Sequence, residues 1–223
     1  MSVVRRSIHA LAPVAVITVI IAAVTLAGRV SAAADAGEFL ISFGKRAAKE
    51  LNDESLSRSE QEARFRELFN EAVDIPAISR FILGRHWRTA TEQEREDFLL
   101  VFEGFVLQRF LPMFTGQTDE YQGKGFDIVE IRAADSGKGQ VFVRSLVVRE
   151  QGAPAHLTWR IREQDDQFKI LDVSAEGVSM VLTLRHEYNS VIRQTGGVGG
   201  LVDLMRKKLQ TGAFAPKAND GGQ

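Results

Sequence analysis

The chain has 223 residues, with 28 basic and 29 acidic side chains and no cysteine. That balance lacks the basic footprint that nucleic-acid binding requires, and the missing thiols exclude disulfides and thiolate zinc sites. Stability must then come from a hydrophobic core, which a chain of this length builds readily in one domain.

Residues 1–34 read as a secretory signal peptide. Arg5 and Arg6 form a positive n-region, and Leu11 to Ala27 is uncharged and mostly aliphatic. Val30-Ser31-Ala32 or Ala32-Ala33-Ala34 supplies the small residues a leader peptidase needs. The competing reading is an uncleaved membrane anchor. As a helix this run spans only about 26 Å, short of a hydrocarbon core of ~30 Å, and Pro13, Thr18 and Thr25 weaken a permanent span. Without Arg5, Arg6 and Arg29 the chain keeps 25 basic and 29 acidic side chains.

Asp35 to Leu51 follows as a helix, with Phe39, Leu40, Phe43 and Ala47 on one face. Ser59 and Glu62 have capping-box spacing and open a helix carrying Phe65, Leu68, Phe69 and Ala72. Asp74-Ile75-Pro76 restarts a short helix, because Asp caps well and Pro is tolerated in a first turn. Gly84 ends it. Thr91 and Glu94 make a second capping box before a helix that runs to about Phe114. That helix is apolar on most sides, so it must be covered on most sides.

Four strand candidates come next: Phe126 to Ile131, Gln140 to Glu150, His156 to Arg162 and Gln167 to Ala175. Short polar turns join them, which predicts an antiparallel meander. In the third strand Leu157, Trp159 and Ile161 alternate with His156, Thr158, Arg160 and Arg162. One face should meet helices and the other water. The second strand mixes apolar and polar residues on both faces, so both look partly covered. Val178 to about Arg193 is the next helix, and Leu201 to Leu209 an amphipathic last one. The glycine run at 196–200 between them reads as a flexible joint. Residues 211–223 read as a tail that frays.

Catalytic patterns are scarce. His9, His86, His156 and His186 give no helical zinc pair, no Gly-x-Ser-x-Gly elbow occurs, and the glycines at 196–200 lack the following Gly-Lys-Ser/Thr of a phosphate loop. Asp172 and Glu176 suit capping or an arginine partner, with a catalytic acid as the sharper alternative. Arg160 and Arg162 suit either a solvated strand face or an anion. Arg206, Lys207 and Lys208 suit a helix C-terminus or a membrane surface. Gly84-Arg85-His86-Trp87-Arg88 sets an aromatic among cations, as a capping turn or as a rim facing a lipid head group or a partner. Eight of the fourteen Phe fall between Phe65 and Phe114. They form either a Phe-rich core or a dry cavity for an apolar ligand.

These patterns together resemble the Mla-type periplasmic phospholipid-binding proteins, the MlaC or toluene-tolerance family. Gly84-Arg85-His86-Trp87-Arg88 is similar to that family's Gly-Arg-Tyr-Trp segment, with His86 in place of the usual Tyr. Phe168-Lys169-Ile170-Leu171-Asp172-Val173 through Glu176-Gly177-Val178-Ser179 is similar to its last-strand signature. Arg185, Tyr188, Ser190, Ile192, the glycine break and Leu201-x-x-Leu204 fit as well.

The resemblance implies an α+β fold over 35–210. A curved four-stranded, or slightly larger, antiparallel sheet and its helices enclose an apolar pocket. It implies a periplasmic carrier, not an enzyme, that holds phospholipid acyl chains as cargo, with no cofactor and no metal. Its partners would be an outer-membrane lipoprotein–porin complex and an inner-membrane transporter of the ATP-binding-cassette (ABC) type. Periodicity nominates Phe98, Val101, Phe102, Phe105, Phe110, Phe142, Leu146, Leu157, Trp159 and Ile161 as lipid-binding residues. The alternatives are a hopanoid or sterol-like cargo, or a small enzyme on a hydrophobic substrate with Asp172 or Glu176 as base.

Overall fold

The computed structural model describes residues 35–51, 53, 55–114, 126–133, 139–147, 155–164 and 167–215. The expected leader, most of the turns at 135–139 and 151–154, and the end of the tail lie outside them. The helices are α1 (35–51), α2 (Arg58–Ala72), α3 (Ile75–Leu83), α4 (Arg85–Thr89), α5 (Glu92–Phe114), α6 (Met180–Thr195) and α7 (Val198–Gln210). The strands are β1 (Phe126–Ala133), β2 (Gln140–Val147), β3 (Ala155–Gln164), β4 (Gln167–Ala175) and the two-residue β5 (Val178–Ser179). They pair antiparallel in chain order, β1-β2-β3-β4-β5. The fold is α+β, an open meander with helices packed on it.

Local chemistry sets most helix ends. Asp74 caps α3, accepting a hydrogen bond from the Ala77 amide at 2.9 Å. Thr91 and Glu94 close a reciprocal box on α5, with bonds of 2.8 and 3.1 Å. In α2 the box uses Ser57 and Glu60 rather than Ser59 and Glu62. The two boxes overlap in sequence, and the earlier one adds two residues of hydrogen-bonded helix.

The joint between α2 and α3 is fastened to the sheet. Val73 bridges to Ile170, and the Asp74 amide donates to the Ile170 carbonyl at 3.1 Å. The Asp74 carboxylate also pairs with Arg162 of β3. Asp74→Ala therefore removes a helix cap and leaves a partly buried guanidinium unpaired. We expect a loss of about 2–3 kcal/mol, read as a lower urea midpoint with an unchanged slope.

The two faces of β3 differ from the expected helix-side and water-side division. Val141, Val143 and Ser145 of β2 stand opposite Ile161, Trp159 and Leu157. Of these, Val143, Ser145 and Ile161 are fully buried. The Arg160–Arg162 face is covered as well, because Arg162 pairs with Asp74 while Arg160 lies over the Phe81 ring of α3 at 5.8 Å. On β2 the outer residues Phe142 and Arg144 are exposed.

A β-bulge between Arg160 and Ile161 shifts the β3–β4 register, and Leu171 drops out of the pairing. Bulges bend a strand and re-aim its side chains.

The glycine run is not a flexible joint of five residues. Gly196 and Gly197 make the break, while Gly199 and Gly200 sit inside the first turn of α7. A Cβ on Gly200 would lie 2.5 Å from the Thr195 Cβ. The small residue lets α7 turn tightly against the end of α6. Glu94 reaches across to accept from the Gly199 amide at 3.1 Å, fixing this corner to α5.

Residues 211–215 fold back as turns. The Phe214 ring meets Phe105 edge-on at 5.0 Å, and the Phe214 amide donates to Gln108 at 3.4 Å. Among the described residues, no helix is long and apolar enough to cross a membrane.

Candidate functional site

The site is a cavity between the helices and the C-terminal half of the sheet. α1 contributes Phe43, Ala47 and Leu51 to its wall, and α2 contributes Phe65, Leu68 and Phe69. Val73, Ile75 and Ile78 follow from the joint and α3. Phe102, Phe105, Val106 and Phe110 of α5 form another side. Trp159 of β3, with Ile170, Asp172 and Val173 of β4, forms the sheet side, and Met180, Val181 and Leu184 of α6 complete it. About 170 Å³ is free to the centre of a water molecule, and the unfilled space with its mouth is about 930 Å³. The smaller figure is the enclosed space, and the larger includes open solvent at the mouth.

The aromatic rings hold one another in place. Phe65 and Phe69 stack at 5.6 Å, Phe102 and Phe105 at 5.8 Å, and Phe110 meets Phe105 edge-on at 6.5 Å. The Trp159 indole donates its N–H to the Ser145 hydroxyl at 2.8 Å. Its polar atom is thus satisfied away from the cavity, and the residue lines the cavity as apolar surface.

Among the described residues of the wall, Asp172 is the single charged group. It is 9% exposed. One of its oxygens accepts from the Ser179 hydroxyl at 2.5 Å and the other from the Val181 amide at 3.1 Å. Both donors belong to the start of α6, where a negative charge also meets the helix dipole. The carboxylate works as a structural cap. Glu176 is exposed and accepts from the His156 amide at 2.7 Å. Neither group has the arrangement of a free base facing an apolar substrate. No group of three His, Cys, Asp or Glu among the described residues has metal-binding spacing.

Of the residues that periodicity nominates, Phe102, Phe105, Phe110 and Trp159 line the cavity. Phe98 lies behind the wall, fully buried, stacked on Phe102 and edge-on to Tyr188 at 6.1 Å. The Tyr188 hydroxyl there is held well above its usual pKa by burial first and then by Glu187. Val101 and Ile161 belong to the core, and Leu157 is half-buried outside the lining. Phe142 and Leu146 stand opposite Arg160 and His156, on the face away from Trp159. Phe142 is 38% exposed.

The contributions of α1, α2, α3, α6 and β4 were not nominated from sequence. Apolar helix faces were visible there, but burial against a core and burial against a cavity leave the same spacing. On β4 the bulge at Leu171 breaks the two-residue period, so Ile170 and Val173 both stand on the Trp159 face and line the cavity.

The sites of cationic residues also resolve. No residue of 84–88 lines the cavity. Arg206 pairs with Asp97 at 2.8 Å and Asp203 at 3.4 Å, and Lys208 lies over the Phe214 ring at 5.7 Å. The basic end of α7 is therefore partly spent within the molecule.

α1 is tied over the cavity by charge as well as by rings. Arg46 pairs with Glu71 of α2 and with Glu50 at 3.5 Å, and Phe39 meets Phe168 at 5.8 Å. The Glu71 pKa is lowered, first by the hydrogen bond from Arg46. A lowered carboxylate adds stability above its unfolded pKa of about 4.3, and that stability fades as pH falls through the folded value. Glu71→Gln should lower the melting temperature slightly at pH 6, and the difference should vanish toward pH 3. A difference that persists at pH 3 would contradict the pairing.

The model of one protein family, described as MlaC protein, matches residues 43–207. The chain belongs to the MlaC family. The match begins in α1 and ends in α7, so it takes in every element that lines the cavity. Among solved structures, the chain is similar to a phospholipid-binding protein from Ralstonia solanacearum, determined at 1.53 Å in complex with a phospholipid. The two share 20% identity with a TM-score of 0.63, over 78% of this chain and 98% of that one. At that identity the likeness establishes a shared fold, and this chain has the MlaC-type architecture.

Proposed function

We propose that this protein is a lipid carrier whose cavity holds the acyl chains of a phospholipid, with the head group toward the mouth. The observation that carries the reading is the wall itself, apolar from five helices and two strands among the described residues, with the Asp172 carboxylate engaged by α6. Membership of the MlaC family and the phospholipid in the Ralstonia solanacearum relative support the same cargo.

Each acyl methylene moved from water into such a wall contributes about 0.8 kcal/mol. A cargo bound through many methylenes leaves slowly without help. We therefore infer that a partner opens the cavity or competes for its contents. The family reading supplies the partners, an inner-membrane ABC transporter complex and an outer-membrane lipoprotein–porin complex, with the protein moving through the periplasm between them. Phe102, Phe105, Phe110 and Trp159 are the proposed lipid contacts among the nominated residues. The protein acts by binding and release, without catalysis.

Titration of delipidated protein with a phosphatidylethanolamine bearing a fluorophore on one acyl chain tests the reading. We expect saturable binding near one lipid per protein, with a blue-shifted emission from a dry site. Failure to bind, or turnover of the lipid into cleaved products, would overturn it.

A further inference from the structure

Away from the cavity, arginines gather around α3 and α4. Trp87 of α4 lies between Arg80 and Arg95, whose guanidinium carbons are 5.8 and 5.6 Å from its ring centre. Phe81, next to Arg80, is flanked in the same way by Arg160 at 5.8 Å and Arg185 at 4.6 Å. Arg185 in turn lies against Gly84, where a Cβ would come within 2.9 Å of its Nη2. Arg85 and Arg193 both stand near His86, whose pKa is lowered first by burial and then by these two cations. Arg88 closes the group, its carbonyl accepting from Arg95 at 3.5 Å.

None of these seven arginines forms an ion pair with a described carboxylate. Elsewhere Arg46, Arg58, Arg64, Arg66 and Arg206 each hold one. A chain with a formal net charge of −1 thus concentrates unmatched positive charge on one face. Two features prepare that face for binding. Bonds to main-chain carbonyls, Arg95 to Trp87 at 2.9 Å and Arg185 to Phe81 at 2.7 Å, fix the guanidinium planes of these two inner arginines, and Arg80 is held over the Trp87 ring. All seven cations are arginine, whose planar fork pairs with carboxylates through two parallel hydrogen bonds.

We propose that this arginine face docks the acidic surface of a partner protein, with carboxylates pairing to the exposed Arg80, Arg85, Arg88 and Arg193. Arginine and tryptophan are the residues that most often anchor protein interfaces. A bilayer is the poorer fit. Surface binding to lipid uses an apolar face to insert, and the exposed large apolar residues Leu100, Phe142, Val178 and Leu182 are not members of this group. None of the group lines the cavity, so the docking stands whatever the cargo is.

The test uses a fluorescein-labelled deca-glutamate peptide at low ionic strength, read by anisotropy. Arg85→Gln/Arg88→Gln/Arg193→Gln removes three exposed charges. Arg58→Gln/Arg64→Gln/Arg206→Gln removes three that already have partners and serves as the control. We expect binding by the wild type, at least tenfold weaker binding by the first variant, and a change under twofold in the control. Peptide-induced hydrogen-exchange protection on the wild type should centre on residues 85–89 and 190–195. No binding, equal loss in both variants, or protection elsewhere would overturn the proposal. So would cluster-dependent binding to phosphatidylglycerol vesicles without binding to the peptide.

Discussion

Val173→Trp should weaken lipid binding roughly thirtyfold and lower the lipid carried, while leaving the protein folded. Val173 lines the cavity from β4 and stands directly across from Trp159. It is only half-buried, so the larger ring has open space to enter. The second indole would lie beside the first, an arrangement that cross-strand aromatic pairs favour. The added ring occupies the volume that two or three acyl methylenes would use. Displacing that many withdraws about 2 kcal/mol of binding, or roughly thirtyfold in affinity. The melting temperature of the empty protein should hold or rise, because a void has been filled. Loss of lipid with a preserved melt separates a binding wall from ordinary core. A variant that keeps its full lipid content would show that the cargo lies elsewhere.

Gly84→Ala should be strongly destabilising. Gly84 joins α3 to α4 at φ 56° and ψ −119°, a backbone geometry that side chains strongly disfavour. A Cβ there also meets Arg185 at 2.9 Å. That arginine donates to the Phe81 carbonyl and stacks on its ring, and the neighbouring Asn189 donates to the Ile82 carbonyl at 2.9 Å. These bonds satisfy the open carbonyls at the end of α3 and join it to α6. Strain plus a displaced arginine amounts to about 3 kcal/mol. For a domain of this size that lowers the melting temperature by roughly 6–12 °C. A melt within a degree or two of wild type would contradict this account of the turn.

The elements were legible in the sequence because their signals are local. Asp74, Thr91 and Glu94 announce helix starts through hydrogen bonds to amides two or three residues away. The alternation of Leu157, Trp159 and Ile161 likewise follows from the two-residue period of a strand. The cavity wall is a different kind of fact. Phe98 and Phe102 are one turn apart on α5 and equally apolar, yet only Phe102 reaches the cavity. Which one does so depends on how α5 sits against α6 and α7, and no spacing records that. Phe142 and Leu146 lie away from the cavity for a simpler reason. Strand register sets them opposite the arginine-bearing face of β3, and a mixed strand such as β2 does not reveal its register alone. Arg160 and Arg162 looked like a solvated face because charge usually is. The aromatic ring of Phe81 and the carboxylate of Asp74 that cover them come from residues about 80 positions earlier.

The central claim is that the Phe-rich cavity holds a two-chain lipid. The most direct measurement is organic-solvent extraction of the protein purified from its native compartment without detergent, followed by mass spectrometry of what is released. The account predicts phospholipids near one per protein in the wild type and a large depletion in Val173→Trp. Polycyclic lipids in their place, or no lipid released from the wild type, would contradict it.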